Sequence, residues 1–128
     1  MSGKTERKKS GRPRGENRKF SRRHIELPIL YTFIDNIKTY GGETGNISEG
    51  GLLVYLKEAL LEGVRLKIEI FPPNLLGLKP IKAVTQIVWA PTRQEEGWDE
   101  YLQHGLEFIE MDSGDSLKLK RLLEYIEG

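Results

Sequence analysis

The sequence predicts a mainly β domain: about six short strands, one C-terminal helix and a basic tail in front. Three observations predict it. Short apolar runs recur between clusters of Gly, Pro and polar residues from Ile25 to Met111, as in a sandwich or barrel. Val64, Leu66, Ile68 and Ile70 alternate with Arg65, Lys67 and Glu69, the pattern of a half-buried strand. Leu119, Leu122, Leu123 and Ile126 instead follow an i, i+3, i+4, i+7 spacing, one apolar stripe of a helix.

The elements follow in order. Met1 to Glu16 has no periodicity and is rich in Gly, Ser, Lys and Arg. It cannot bury enough apolar surface to offset the entropy of ordering, so it is expected to be disordered when free. Strand one is expected over Ile25–Ile34, whose β-branched and aromatic residues suit a sheet. Pro28 fits its early part or an edge, because proline cannot donate to a ladder. Asp35 to Lys38 reads as a turn. Strand two is expected over Thr39–Glu43, and Thr44 to Gly50 as a tight polar loop. Strand three runs from Gly51 to Leu56. Lys57 to Gly63 is too short for an independent helix and reads as a loop. Strand four takes Val64 to Phe71 and ends at Pro72-Pro73. Strand five takes Ile81 to Ala90. Pro91 to Trp98 forms a polar hairpin tip, and strand six runs from Asp99 to Met111. Asp112 to Asp115 offers N-cap groups for a helix over Leu117–Ile126, with Lys118, Lys120 and Arg121 facing outward.

The net charge of +1 hides an asymmetry. Residues 1–23 hold 10 Lys/Arg against 2 Asp/Glu, a net +8, and residues 24–128 hold 10 against 17, a net −7. A basic entrance to an acidic body points to an anionic partner at that end. The expected organisation is a basic tail over residues 1–17 and one domain over 18–128. There is no cysteine, which excludes disulfides and thiolate chemistry and suits the cytoplasm. No apolar run approaches the roughly 18–20 residues of a membrane span. The N-terminus lacks the apolar stretch of a secretory leader.

Catalytic motifs are missing. There is no HExxH, P-loop or GxGxxG, and His24 and His104 have no identifiable partner for base catalysis. The acidic pairs Glu95-Glu96 and Asp99-Glu100 belong to the expected hairpin tip, as solvated charge. No metal site is expected. Two polar motifs stand out instead. Arg18-x-x-x-Arg22 presents two guanidinium forks, each able to grip a phosphate or the O6/N7 edge of guanine. Asn46-x-Ser48-x-x-Gly51 supplies an amide, a hydroxyl and a residue without a side chain. Each alone also reads as ordinary tail or turn.

In this order, with one strand between them, the two motifs resemble those of the PilZ domain family. Its pattern is RxxxR ahead of the first strand and [D/N]xSxxG before the third. Arg18-Lys19-Phe20-Ser21-Arg22 and Asn46-Ile47-Ser48-Glu49-Gly50-Gly51 match it. Gly51-Leu52-Leu53-Val54, Ile87-Val88-Trp89 and Gly105-Leu106-Glu107-Phe108 are similar to PilZ strands, and the likeness covers Arg18 to Tyr125. It implies a six-stranded antiparallel β-barrel that binds the bacterial second messenger cyclic di-GMP. Such a domain is a non-enzymatic cytoplasmic receptor, without cofactor, that relays the signal to a protein partner in motility, biofilm or exopolysaccharide control.

Carried over residue by residue, the resemblance gives Arg18 and Arg22 the guanine edges and phosphates. Asn46 and Ser48 become hydrogen-bonding residues, and Gly51 leaves room for the ligand. Lys19, Arg23, Gly50 and Trp89 are secondary candidates. Trp89 is expected to pack in the core, its second reading being a platform on which a purine stacks. Two other functions fit a basic tail on a β-barrel. One is a nucleic-acid-binding barrel, with steep salt dependence. The other is a PilZ domain that binds only a protein.

Overall fold

The computed structural model describes residues 23–91 and 101–127, with side chains from Ile25 onward. The six strands are β1 (Arg23–Phe33), β2 (Thr39–Ile47), β3 (Gly51–Leu56), β4 (Arg65–Ile70), β5 (Ile81–Trp89) and β6 (Leu102–Glu110); one helix, α1 (Ser113–Glu127), follows. All neighbouring strands are antiparallel, and the sheet closes in the order β1-β2-β3-β6-β5-β4. Closure leaves no unpaired edge. This is the mainly β barrel with a C-terminal helix that the sequence predicts.

Alternating residues fill the barrel. Leu27, Ile29 and Tyr31 of β1, Leu52, Val54 and Leu56 of β3, and Leu66, Ile68 and Ile70 of β4 are all buried. Truncating a buried Leu or Ile here to Ala would cost about 2–5 kcal/mol. Pro28 lies just ahead of the β1–β4 ladder, which begins at Ile29. Its carbonyl accepts the Phe71 amide at 3.1 Å, and the missing N–H leaves that bond unreciprocated.

Several boundaries differ from expectation. β1 begins at Arg23, two residues early, and β4 omits Val64. A single 3-10 turn, Asn74–Leu76, interrupts the loop after β4. Strand two does not stop at Glu43 but continues to Ile47, so most of the expected polar loop is strand. The helix begins at Ser113, because Asp112 Oδ1 accepts the Asp115 amide at 2.8 Å and caps it. Lys118 does not simply face outward. Its Nζ donates to Asp115 Oδ1 at 3.0 Å and to the Pro80 carbonyl at 2.9 Å. Asp115 Oδ1 also accepts the Lys82 amide, which ties α1 to β5. Burial pushes the Asp115 carboxyl up, but the Lys82 amide and Lys118 outweigh it and hold the group below its ordinary value.

The antiparallel order gives the barrel two unlike ends. One carries the start of β1, the β2–β3 turn and the start of α1. The other carries loop 57–64, held by buried polar contacts. Tyr31 Oη donates to Glu58 Oε1 at 2.7 Å. The Leu60 amide donates to Nε2 of His104, at 3.1 Å. His104 is fully buried, with Nδ1 3.1 Å from the Leu102 carbonyl. A ring so enclosed has no access to a substrate.

Candidate ligand-binding site

The outer face around Asn46 is built by two irregularities in the strands. In β2, Thr44 pairs with Val54 and Asn46 with Leu53, so Gly45 is an extra residue opposite β3. Such a bulge shifts the alternation by one. Thr44 and Ile47 are both fully buried although three residues apart, and Asn46 between them is half-buried on the outside. In β5, Ile87 pairs with Leu106 and Trp89 with Gly105, which leaves Val88 as the extra residue. Ile87 is buried, and Trp89 is 49% exposed. The expected core packing of Trp89 is therefore corrected: the bulge reverses its side.

Register then sets these residues in one line across the barrel. His24 stands opposite Asn46, Asn46 opposite Leu53, Leu53 opposite Gly105, and Gly105 opposite Trp89. A Cβ on Gly105 would lie 3.2 Å from Trp89 Cβ, so the missing side chain lets Trp89 sit close to the sheet.

The β2–β3 turn lies beside this line. Ser48 N–H donates to the Gly51 carbonyl at 2.8 Å. Ser48 Oγ donates to the same carbonyl at 3.2 Å and accepts the Gly50 and Gly51 amides, each at 3.3 Å. Ser48 is thus the internal brace of the turn, only 9% exposed. The Gly50 carbonyl accepts the Phe108 amide at 2.9 Å, which seats the turn on β6.

Gly51 serves the same seating. A Cβ there would collide with the Leu106 carbonyl oxygen and lie 3.1 Å from Glu107 Cα. The clearance expected for a ligand is filled by the backbone of β6. Gly50 has nothing within 4 Å of its would-be Cβ and opens to solvent.

Ser48, Gly50, Gly51 and Trp89, four of the sequence-derived candidates, line one depression of about 540 Å³, with Leu53, Gly105 and Glu107 among the other walls. Asn46 adjoins it through Leu53. Among the described residues that line it there is no cation, and Glu107 is an exposed acid. Arg18, Lys19 and Arg22 lie outside the described residues, as does the tail over 1–17. Arg23 is described only in its backbone, which pairs with Ile47. Thr44, Gly45, Leu53 and Gly105 have no marker in the sequence. Their part follows from register alone. Among the described residues, no cluster of His, Cys, Asp or Glu could hold a metal, and no helix is long and apolar enough to cross a membrane.

Comparison with known proteins finds relatives of this fold. The family model of the PilZ domain matches residues 16–125. The structure is similar to the PilZ domain with c-di-GMP of YcgR from Escherichia coli, with a TM-score of 0.67 and 18% identity over 88% of this chain and 92% of that one. It is similar to the Bacillus subtilis inhibitor of motility MotI/DgrA, with a TM-score of 0.64 and 21% identity over 90% of this chain and 51% of that one. The chain thus spans about half the length of that protein. A third neighbour is the PilZ domain of CeSA from a cellulose-synthesizing bacterium, with a TM-score of 0.62 and 14% identity over 84% of this chain and 99% of that one. No curated protein matches the chain.

Proposed function

The chain belongs to the PilZ domain family, and from that premise we propose that it is a non-catalytic receptor for cyclic di-GMP. Arg18 and Arg22 supply charged forks for phosphate and guanine edges. Asn46 and the turn braced by Ser48 supply polar groups beside them, and Trp89 offers an aromatic face to a purine. The domain then relays the bound state to a protein partner.

One observation carries this reading. Arg23 stands opposite Ile47, the residue between Asn46 and Ser48, and Arg22 is its covalent neighbour. The second motif is thus one residue from the end of the first. The charge pattern agrees. The depression contains no described cation, and the segment carrying Arg18, Lys19, Arg22 and Arg23 would supply positive charge for a dianionic ligand. The fold is also that of an Escherichia coli domain described with c-di-GMP.

Calorimetric titration of cyclic di-GMP into wild type, Arg22→Ala and Ser48→Ala tests the reading. Saturable binding to wild type, weakened in both variants, is the expected result. Equal affinity in all three overturns the assignment of the site, and no heat with wild type overturns the ligand. The same curve gives the stoichiometry.

A further inference from the structure

Asn46 presents its amide outward only because β2 absorbs one extra residue at Gly45. With regular alternation from Thr44, Asn46 would face the core and Ile47 the solvent. The bulge has two visible supports. Thr44 is fully buried, and its hydroxyl donates to the Leu53 carbonyl on β3 at 2.7 Å, with the Asn46 carbonyl at 3.3 Å. One side chain thus ties the residue before the bulge to the strand opposite and to the residue after it. The Tyr55 ring covers Gly45 so closely that a Cβ there would lie 2.7 Å from it. The ladder to β1 also shifts here, between His24 and Leu27.

We propose that Thr44 is a positioning residue of the ligand site: its hydroxyl fixes the bulge that holds Asn46 on the outer face. Thr44 touches no ligand itself and acts through Asn46. The binding consequence rests on the function proposed above, and the conformational consequence does not.

Two measurements separate these. The first is a double-mutant cycle, titrating cyclic di-GMP into wild type, Thr44→Val, Thr44→Ser, Asn46→Ala and Thr44→Val with Asn46→Ala. Thr44→Val removes the donor and is expected to weaken binding about fivefold, the worth of one hydrogen bond. Thr44→Ser restores the hydroxyl and the affinity. In the Asn46→Ala background, Thr44→Val adds no further loss. A merely structural Thr44 would lose the same amount in both backgrounds, and that result overturns the proposal, as does wild-type affinity in Thr44→Val.

The second measurement needs no ligand. Backbone and side-chain amide resonances of Asn46 are compared in the free proteins. They are expected to move in Thr44→Val and to return in Thr44→Ser. Unmoved resonances overturn the proposal, even where wild type proves not to bind cyclic di-GMP. Thr44→Ala, which removes the hydroxyl without adding a methyl, replaces Thr44→Val if that variant does not fold.

Discussion

Ser48 and Gly51 close the β2–β3 turn on each other. The Ser48 amide donates to the Gly51 carbonyl at 2.8 Å, and Ser48 Oγ accepts the Gly51 amide at 3.3 Å. The serine of the NxSxxG motif therefore shapes the backbone before it meets any ligand. Ser48→Ala is expected to lower stability by about 1 kcal/mol, the net worth of a typical hydrogen bond, and to weaken ligand binding as well. Urea denaturation beside the titration checks both. Weaker binding at unchanged stability would give Ser48 a ligand contact and no structural role.

The two glycines of the turn are expected to respond differently to the same change. Gly51→Ala would drive a Cβ into the Leu106 carbonyl oxygen. The clash is with backbone, so β3 and β6 have to separate, at a cost of about 1–3 kcal/mol or more. At Gly50 a Cβ meets nothing within 4 Å, and the φ angle is not positive. Gly50→Ala should change stability by less than about 0.5 kcal/mol. Denaturation midpoints of the two variants decide this.

Much of the fold is legible in the sequence because side-chain alternation marks strands directly. β3 has the expected bounds, and β4 and β5 lie within theirs. What is not legible is where alternation breaks. Gly45 and its polar neighbours look like a turn. They remain in a strand because β1 and β3 pair around them and the Tyr55 ring covers the glycine. Trp89 follows Ile87 by two and so reads as core, but the bulge at Val88 turns it out. Both errors come from bulges, whose cause lies in the partner strands. The motif at Asn46 and Ser48 was visible as residue types. Its geometry was not, and the clearance assigned to Gly51 belongs to strand packing.

His104 makes stability depend on pH. Burial pushes its imidazole below the ordinary value, partly offset by the Leu102 carbonyl and Glu58. Protonated Nε2 could no longer accept the Leu60 amide. The folded pKa lies below the unfolded one of about 6.5, so the unfolded chain binds more protons as pH falls. The stability is present above that unfolded value and is lost as pH falls through the folded one, at up to about 1.4 kcal/mol per pH unit. Denaturation of wild type and His104→Gln at several pH values between 7.5 and 5 checks it. The wild type should lose more stability than the variant over that range. Parallel losses would contradict a neutral buried imidazole.

The start of α1 depends on one side chain. Asp112→Ala removes the acceptor of the Asp115 amide and is expected to cost about 1 kcal/mol, as N-cap replacements do. Asp112 lies outside the residues lining the Ser48–Trp89 depression, so ligand affinity should be unchanged. A melt and a titration on the same sample test the two halves of this expectation.

The central claim is that one outer face, between the β2–β3 turn and Trp89, receives cyclic di-GMP. Amide NMR of the full chain during titration with cyclic di-GMP tests it most directly. The predicted result is saturable shifts at Asn46, at Ser48 to Gly51 and at Gly105, with the Trp89 indole moving in parallel and the β1–β2 turn over Asp35 to Lys38, which lines no part of the depression, unmoved. Shifts confined to that turn, or a spectrum that saturating ligand leaves unchanged, would contradict it.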